Sequence, residues 1–312
     1  MSELQIRPYT DGDAATIADL MNALDLAHGG EPTFTETEMR GLVSVWVPDP
    51  EANTRLVTSK DGTVVAAGLL FAPPDGGARV DLFGAVHPDW QGRGIGRELL
   101  AWQWERARAM HAGTAPDAEW HADTGASADD AAAARLFTRF GFAPVRYFFH
   151  MEAPLDDQTP VVELPERVTT VPFTDDMSHA VYDAHMEAFA DHWGFQRRPY
   201  EKWVETTVRS DEFRADLSRI GFDGDEIAGY VLAYDNLDGV EYIGQVGTRR
   251  PWRRRGLASA LLSTSMAAGL ADGKKIARLG VDADSPTGAV GVYERLGYAV
   301  RHKYVESRRA LD

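Results

Sequence analysis

Gln91-Gly92-Arg93-Gly94-Ile95-Gly96 and Arg253-Arg254-Arg255-Gly256-Leu257-Ala258 are two copies of one loop pattern, Gln/Arg-x-x-Gly-x-Gly/Ala. Each copy follows a short extended run, ending at Val86 or Val246, and leads into a helical pattern. Leu99, Leu100 and Trp104 mark the first helix, and Leu257, Leu261, Leu262 and Ala268 the second. Glycine lets the backbone turn sharply and aim successive N–H groups at one spot, and a helix start adds a positive dipole. Such a seam is an anion cradle of a size that suits a diphosphate.

Two further landmarks recur in the same order and at nearly the same offset. Pro8-Tyr9-Thr10-Asp11 is echoed by Pro172-Phe173-Thr174-Asp175, each closing an extended run and opening a helix. Phe137-Thr138-Arg139-Phe140-Gly141-Phe142 is echoed by Tyr293-Glu294-Arg295-Leu296-Gly297-Tyr298. Three landmarks in register mean a duplication. The polar, proline-bearing stretch Ala153 to Pro160 reads as the connection. The expected domains are therefore 1–155 and 166–312, joined by a linker over 156–165.

At 312 residues, two domains are the natural expectation, and 44% hydrophobic residues suit a globular chain. In the second half the pattern predicts strands over 167–171, 218–222, 226–234, 240–248 and 277–281. Helices are expected over 178–190, 199–209, 257–271 and 289–296. That mixture is α+β with a mixed sheet, not an eight-fold barrel. The chain has no cysteine, which removes disulfides, thiolate metal sites and cysteine nucleophiles from consideration and fits a reducing cytoplasm. The start of the chain has no apolar signal core, and the longest apolar run, Val64 to Ala72, is far too short to span a bilayer. A net charge of −16 disfavours nucleic acid and anionic membranes as partners.

Other phosphate cradles fail on the letters. A dinucleotide fingerprint would need glycine at 97, which is Arg, and Gly273-Lys274-Lys275 lacks the hydroxyl of a Walker loop. There is no Gly-x-Ser-x-Gly elbow, no His-Glu-x-x-His helix, and no metal spacing among the nine histidines. No metal is expected.

The segments Val86-His87-Pro88-Asp89-Trp90 with Gln91–Gly96, and Val246-Gly247-Thr248 with Arg253–Ala258, resemble the acetyl-CoA-binding segment of the GNAT acetyltransferase superfamily. Asp284 to Tyr298 resembles that family's closing helix. The resemblance covers nearly the whole chain as two tandem GNAT domains, an arrangement similar to the mycothiol synthase family. It implies acetyl transfer from acetyl-CoA to a primary amine of a small molecule, either a mycothiol-precursor-like amine or an amino-antibiotic or metabolite. The alternative is a non-catalytic acyl-CoA-binding or sensing protein.

By this resemblance Arg253 to Ser259 take the pyrophosphate, and Val246, Gly247 and Thr248 the pantetheine and thioester. The corresponding set in the first half is Val86, His87, Gln91, Gly92, Arg93, Gly94, Ile95 and Gly96. Tyr293 stands where the family presents a tyrosine hydroxyl to the departing thiolate. Phe137, its counterpart, has no proton to give, so the second half is expected to be catalytic and the first degenerate. Ser285 occupies a position where family members commonly carry Asn, which leaves the details of cofactor placement open. Five of the seven residues from Arg249 to Arg255 are arginine, in an acidic chain. They read either as an electrostatic funnel for phosphates or as ion pairs with neighbouring acids.

Glu241 is the candidate base for the acceptor ammonium. A one-residue register slip would put Tyr242 or Gln245 on the active face instead, and a solvent-exposed strand charge is the other reading. Asp191, His192 and Trp193 could box an amine, or the aromatics around them could pack the helices on the sheet. The expected protein is a cytoplasmic monomer or homodimer.

Overall fold

The computed structural model describes residues 4–72, 77–195, 197–235 and 238–311. It forms two compact units, one comprising residues up to Tyr147 together with His302 onward, the other Phe148–Arg301. These units cut across the two sequence repeats, because the last strand of each repeat passes into the other unit.

In the first unit the elements run β1 (Gln5–Arg7), α1 (Ala14–Ala27), α2 (Glu36–Trp46), α3 (Pro50–Asn53), β2 (Thr54–Thr58), β3 (Val64–Phe71), β4 (Arg79–Val86), α4 (Ile95–Thr114), β5 (Trp120–Ser127) and α5 (Ala131–Arg139). Strand β6 (Ala143–Pro154) begins there and ends in the second unit. The second unit continues with β7 (Val168–Pro172), α6 (Ser178–Ala188), α7 (Tyr200–Thr206), β8 (Phe213–Asp223), β9 (Glu226–Tyr234) and β10 (Val240–Thr248). It closes with α8 (Leu257–Ala271), β11 (Ile276–Asp282) and α9 (Ala289–Arg295), and β12 (Ala299–Leu311) returns the chain to the first unit.

The sheet order is β1-β2-β3-β4-β5-β12 in the first unit and β7-β8-β9-β10-β11-β6 in the second. Neighbours are antiparallel except β4 with β5 and β10 with β11, which are parallel. Period-2 alternation sends successive side chains to opposite faces, so each sheet is covered on both sides. In the second unit Tyr230 and Leu232 pack with Val181 and Trp203 of α6 and α7. Ala228, Val231 and Ala233 pack with Leu257, Leu261 and Met266 of α8.

The exchanged strands each carry an ion pair across one rung, with reversed polarity. In the first unit Arg308 of β12 sits opposite Asp123 of β5 and grips it with two 2.7 Å bonds, Asp123 being fully buried. In the second unit Arg278 of β11 sits opposite Glu152 of β6, with Nε donating at 2.7 Å. Removing one partner of such a pair strands a buried charge, at a cost of about 3–5 kcal/mol.

The connection is not a free linker. Ala153 and Pro154 are still in β6. Leu155 is buried and donates its N–H to Lys275 O, while Ser263 of α8 donates to Pro160 O and accepts from Val162 N–H. Among the described residues no helix is long and apolar enough to cross a membrane.

Candidate active site

In the second unit β10 and β11 are paired only from Val240/Ile276 to Ile243/Leu279. Beyond that point β10 runs on to Thr248 against β9 alone, and β11 runs to Asp282 against β6 alone. The backbone edge of residues 244–248 that faces β11 is therefore unpaired by strand, and can accept an extended ligand as an added strand. A β-bulge at Gly244 shifts the β9–β10 register between Ile243 and Gln245. Bulges re-aim side chains at functional sites, and the equivalent β3–β4 pairing in the first unit has none over 81–86. Gln245 Oε1 and Thr248 Oγ1, both in this stretch, are buried oxygens without a hydrogen-bond partner.

At the end of β10 the chain turns through Arg254 (φ +61°) and Gly256 (φ +82°) into α8. Gly92 (φ +75°) and Gly94 (φ +87°) make the same turn ahead of α4. Neither helix start carries a side-chain cap, and nothing lies within 4 Å of where a Cβ on Gly256 or Gly92 would stand. Uncapped N–H groups at an open, left-handed turn form an anion nest. Unpaired strand edge, orphaned polar atoms and open nest together fit a ligand with a diphosphate at one end and an amide-bearing arm at the other.

Tyr293, on α9, is buried in the cluster that holds Leu257 and Val246, with its ring 5.9 Å from that of Tyr298. Burial pushes its phenol up to about 12, so the proton stays on at neutral pH. Phe137 occupies the matching place in the first unit, 6.4 Å from Phe142. A cavity of 190 Å³ lined by Leu4, Ile6, Arg55, Val57, Arg93 and Ile95 opens beside the first loop.

Glu241 does not face the splayed gap. It is fully buried on the α8 side of β10, five residues ahead of Val246. Its Oε1 is 2.6 Å from Ser265 Oγ, and its Oε2 has no partner and rests against the bare Cα of Gly269, where a Cβ would stand 2.4 Å away. Burial pushes the carboxyl up to about 7, although Ser265 and the Arg219, Lys274 and Arg214 charges oppose the rise. Ser265 also donates to Leu217 O at 2.9 Å. Its one proton cannot serve both oxygens, so a protonated Glu241 donating to Ser265 completes the chain. The expected base is thus a buried structural acid. Tyr242 and Gln245 pair with Tyr234 and Leu232, which puts them on the α6/α7 face.

Asp191 also differs from expectation. It lies between two guanidinium groups, accepting from Arg250 Nη2 at 2.8 Å and Arg253 Nη1 at 3.0 Å, so it is not free to box an amine. Glu187 holds Arg249 in the same way at 2.7 Å. The arginine run thus divides: 249, 250 and 253 are ion-paired, whereas Arg254 and Arg255 are exposed, with no ion pair among the described residues. His192 stacks near Phe189 at 5.4 Å, Trp193 lies 6.1 Å from Phe148, and Trp203 is fully buried packing.

One pair was not visible in the letters. Tyr230 lies flat on Gly247, where a Cβ would be 2.3 Å from the ring, and its hydroxyl is 2.7 Å from His185 Nδ1. Burial takes the imidazole down to about 3, with Arg198 and His192 adding to the fall, and pushes the Tyr230 phenol up. Both groups are neutral at pH 7. The phenol donates to Nδ1, or Nδ1–H donates to the phenol oxygen, according to the imidazole tautomer. A glycine at 247 facing an aromatic at 230 is the only sequence signal for this contact, and it needs the β9–β10 register to be read.

Residues 178–298 match the family model described as the acetyltransferase (GNAT) family, and residues 51–144 match that of a GNAT acetyltransferase domain. Mycothiol acetyltransferase of Salinispora arenicola is 31% identical, the alignment covering 96% of this chain and 94% of that protein. Its counterpart from Thermobispora bispora is 30% identical, with 93% of each covered. The structure superposes on the GCN5-related N-acetyltransferase from Sphaerobacter thermophilus with a TM-score of 0.81 at 30% identity, covering 99% and 96% of the two chains. It shares its fold with a tandem GNAT protein from the clavulanic acid biosynthesis pathway, at a TM-score of 0.74 and 20% identity over 99% of each. The chain belongs to the GNAT family of acetyltransferases, enzymes whose acyl donor is acetyl-CoA, with one GNAT segment in each half.

Proposed function

We propose that this protein transfers the acetyl group of acetyl-CoA to a primary amine of a small molecule, with turnover in the Phe148–Arg301 unit. The observation that carries the reading is the sequence of features along β10: a bulge, an edge that parts from β11, and an uncapped left-handed turn, with the Tyr293 phenol in the same cluster. Bound acetyl-CoA supplies the thioester that the amine attacks. The main-chain N–H groups of residues 254–259 hold its diphosphate, with the exposed Arg254 and Arg255 adding positive potential. The free edge of 244–248 holds the pantetheine arm, and a main-chain N–H of that stretch polarises the carbonyl oxygen. Tyr293 keeps its proton across the neutral range and delivers it to the departing sulfur as the C–S bond breaks. The likeness to mycothiol acetyltransferases supports an amine of a mycothiol precursor as the acceptor to try first.

The test is thiol release from acetyl-CoA with a panel of amines, the cysteinyl-glucosaminyl-inositol precursor beside aminoglycosides. Release with one class of amine, abolished in the second-half loop variants, is the expected result. CoA binding with no release on any amine would make this a binding module instead.

A further inference from the structure

Five hydrogen bonds run from the end of α6 into the segment that leads to the second loop. Glu187 accepts from Arg249 Nε at 2.7 Å and from the backbone N–H of Arg250 at 3.0 Å. Asp191 accepts from Arg250 and Arg253, and Ala188 O accepts from Arg253 Nη2 at 3.0 Å. Arg253 completes its fork on Thr248 O at 3.2 Å, at the end of β10. The acceptors on the α6 side belong to the turn that continues directly into His192 and Trp193.

Resting on the donor site proposed above, we infer that Asp191 is a positioning residue that ties this turn to the cofactor loop and yields Arg250 when the donor arrives. Carboxylate and phosphate take guanidinium in the same forked geometry, so the groups that hold Asp191 are the ones a diphosphate attracts. The Arg250 pair is exposed, with side-chain exposures of 42% for Asp191 and 58% for Arg250, and exposed pairs are weak, whereas Arg253 is half-buried and held by Ala188 O and Thr248 O as well. Exchange of one anion for the other at Arg250 is therefore cheap. The Asp191 charge opposes an anionic ligand before the exchange, and the turn carrying His192 and Trp193 is loosened after it.

Asp191→Asn keeps the shape and removes the charge. Calorimetry with CoA at low ionic strength is expected to give binding about threefold or more tighter than wild type, with the difference fading as salt is raised. Asp191→Glu is expected to restore wild-type affinity. Amide exchange over 187–195 in wild type should speed up when CoA is added, and in Asp191→Asn should be fast without it. A merely structural role predicts the opposite, weaker binding from a loosened loop. Unchanged or weaker CoA binding in Asp191→Asn, with the fold intact by circular dichroism, overturns the inference. Failure of wild type to bind CoA at all would remove the donor site itself, and this inference with it.

Discussion

Glu241→Gln is expected to stabilise the protein in alkaline solution and to leave it unchanged in acid. The carboxyl is fully buried, holds one hydrogen bond to Ser265, and leaves Oε2 without a partner. Its folded-state value of about 7 lies above the 4.5 of an ordinary glutamate. A raised acid binds its proton more tightly folded than unfolded. It therefore costs nothing below pH 4.5, where both states are protonated, and costs progressively more as pH climbs to 7, above which the penalty is complete. At 1.36 kcal/mol per pKa unit the penalty is about 3 kcal/mol. Glutamine fills the same volume, keeps a partner for Ser265, and carries no charge at any pH. At roughly 2–4 °C per kcal/mol for units of this size, the melting temperature of Glu241→Gln should exceed wild type by on the order of 5–10 °C at pH 8.5. The gap should close towards pH 4.5. The assay is thermal unfolding at half-unit pH steps, with thiol release measured in parallel and retained. A melting temperature that falls below wild type, and falls further as pH rises, would refute the reasoning, because it would mean that the ionised carboxylate is what the fold requires.

Tyr293→Phe should lower kcat by roughly ten- to a hundredfold while CoA affinity stays within a factor of about two, since the ring packing survives and only the proton is lost. Because the phenol is pushed up to about 12, the wild-type rate should show no alkaline limb from this group below pH 10. Arg254→Gly relieves a left-handed backbone that costs a non-glycine residue about 1 kcal/mol, so the melting temperature rises while CoA binding weakens from the lost charge; a fall in both would contradict the turn. Gly247→Ala places a methyl 2.3 Å from the Tyr230 ring, and should cost at least about 2 kcal/mol and break the Tyr230–His185 bond, read by NMR as lost protection of the proton shared between the two side chains.

The loop pairs and the closing helices could be read from single residues, because a left-handed turn restricts its residue types and a proton donor either has a hydroxyl or lacks one. Gly94 and Gly256, the glycine common to both loop copies, adopt positive φ at the turn, and β9, β10 and α8 have the bounds that periodicity gave them. The face of Glu241 could not be read that way. Counting back by twos from Gly247 crosses the extra residue at Gly244, and one inserted residue reverses the parity of everything before it. Asp191 finds its partners about 60 positions further along the chain, in a segment whose arginines could as well have faced solvent. Tyr230 and His185 likewise meet only through strand register and helix packing. The passage of β6 and β12 into the opposite unit left no mark on the repeat pattern, since the strands keep their rank order within each repeat.

That passage decides how the molecule can be divided. A fragment cut after residue 155 would lack the partner of β5 and would expose Asp123 without Arg308, leaving a bare sheet edge with an uncompensated carboxylate. A fragment of residues 148–301 keeps Glu152 opposite Arg278 and every strand of its sheet. The duplication behind this chain is consequently no longer reversible by simple scission at the seam: separate halves would need each other for complementation, and only the inner excised piece retains a closed complement of strands.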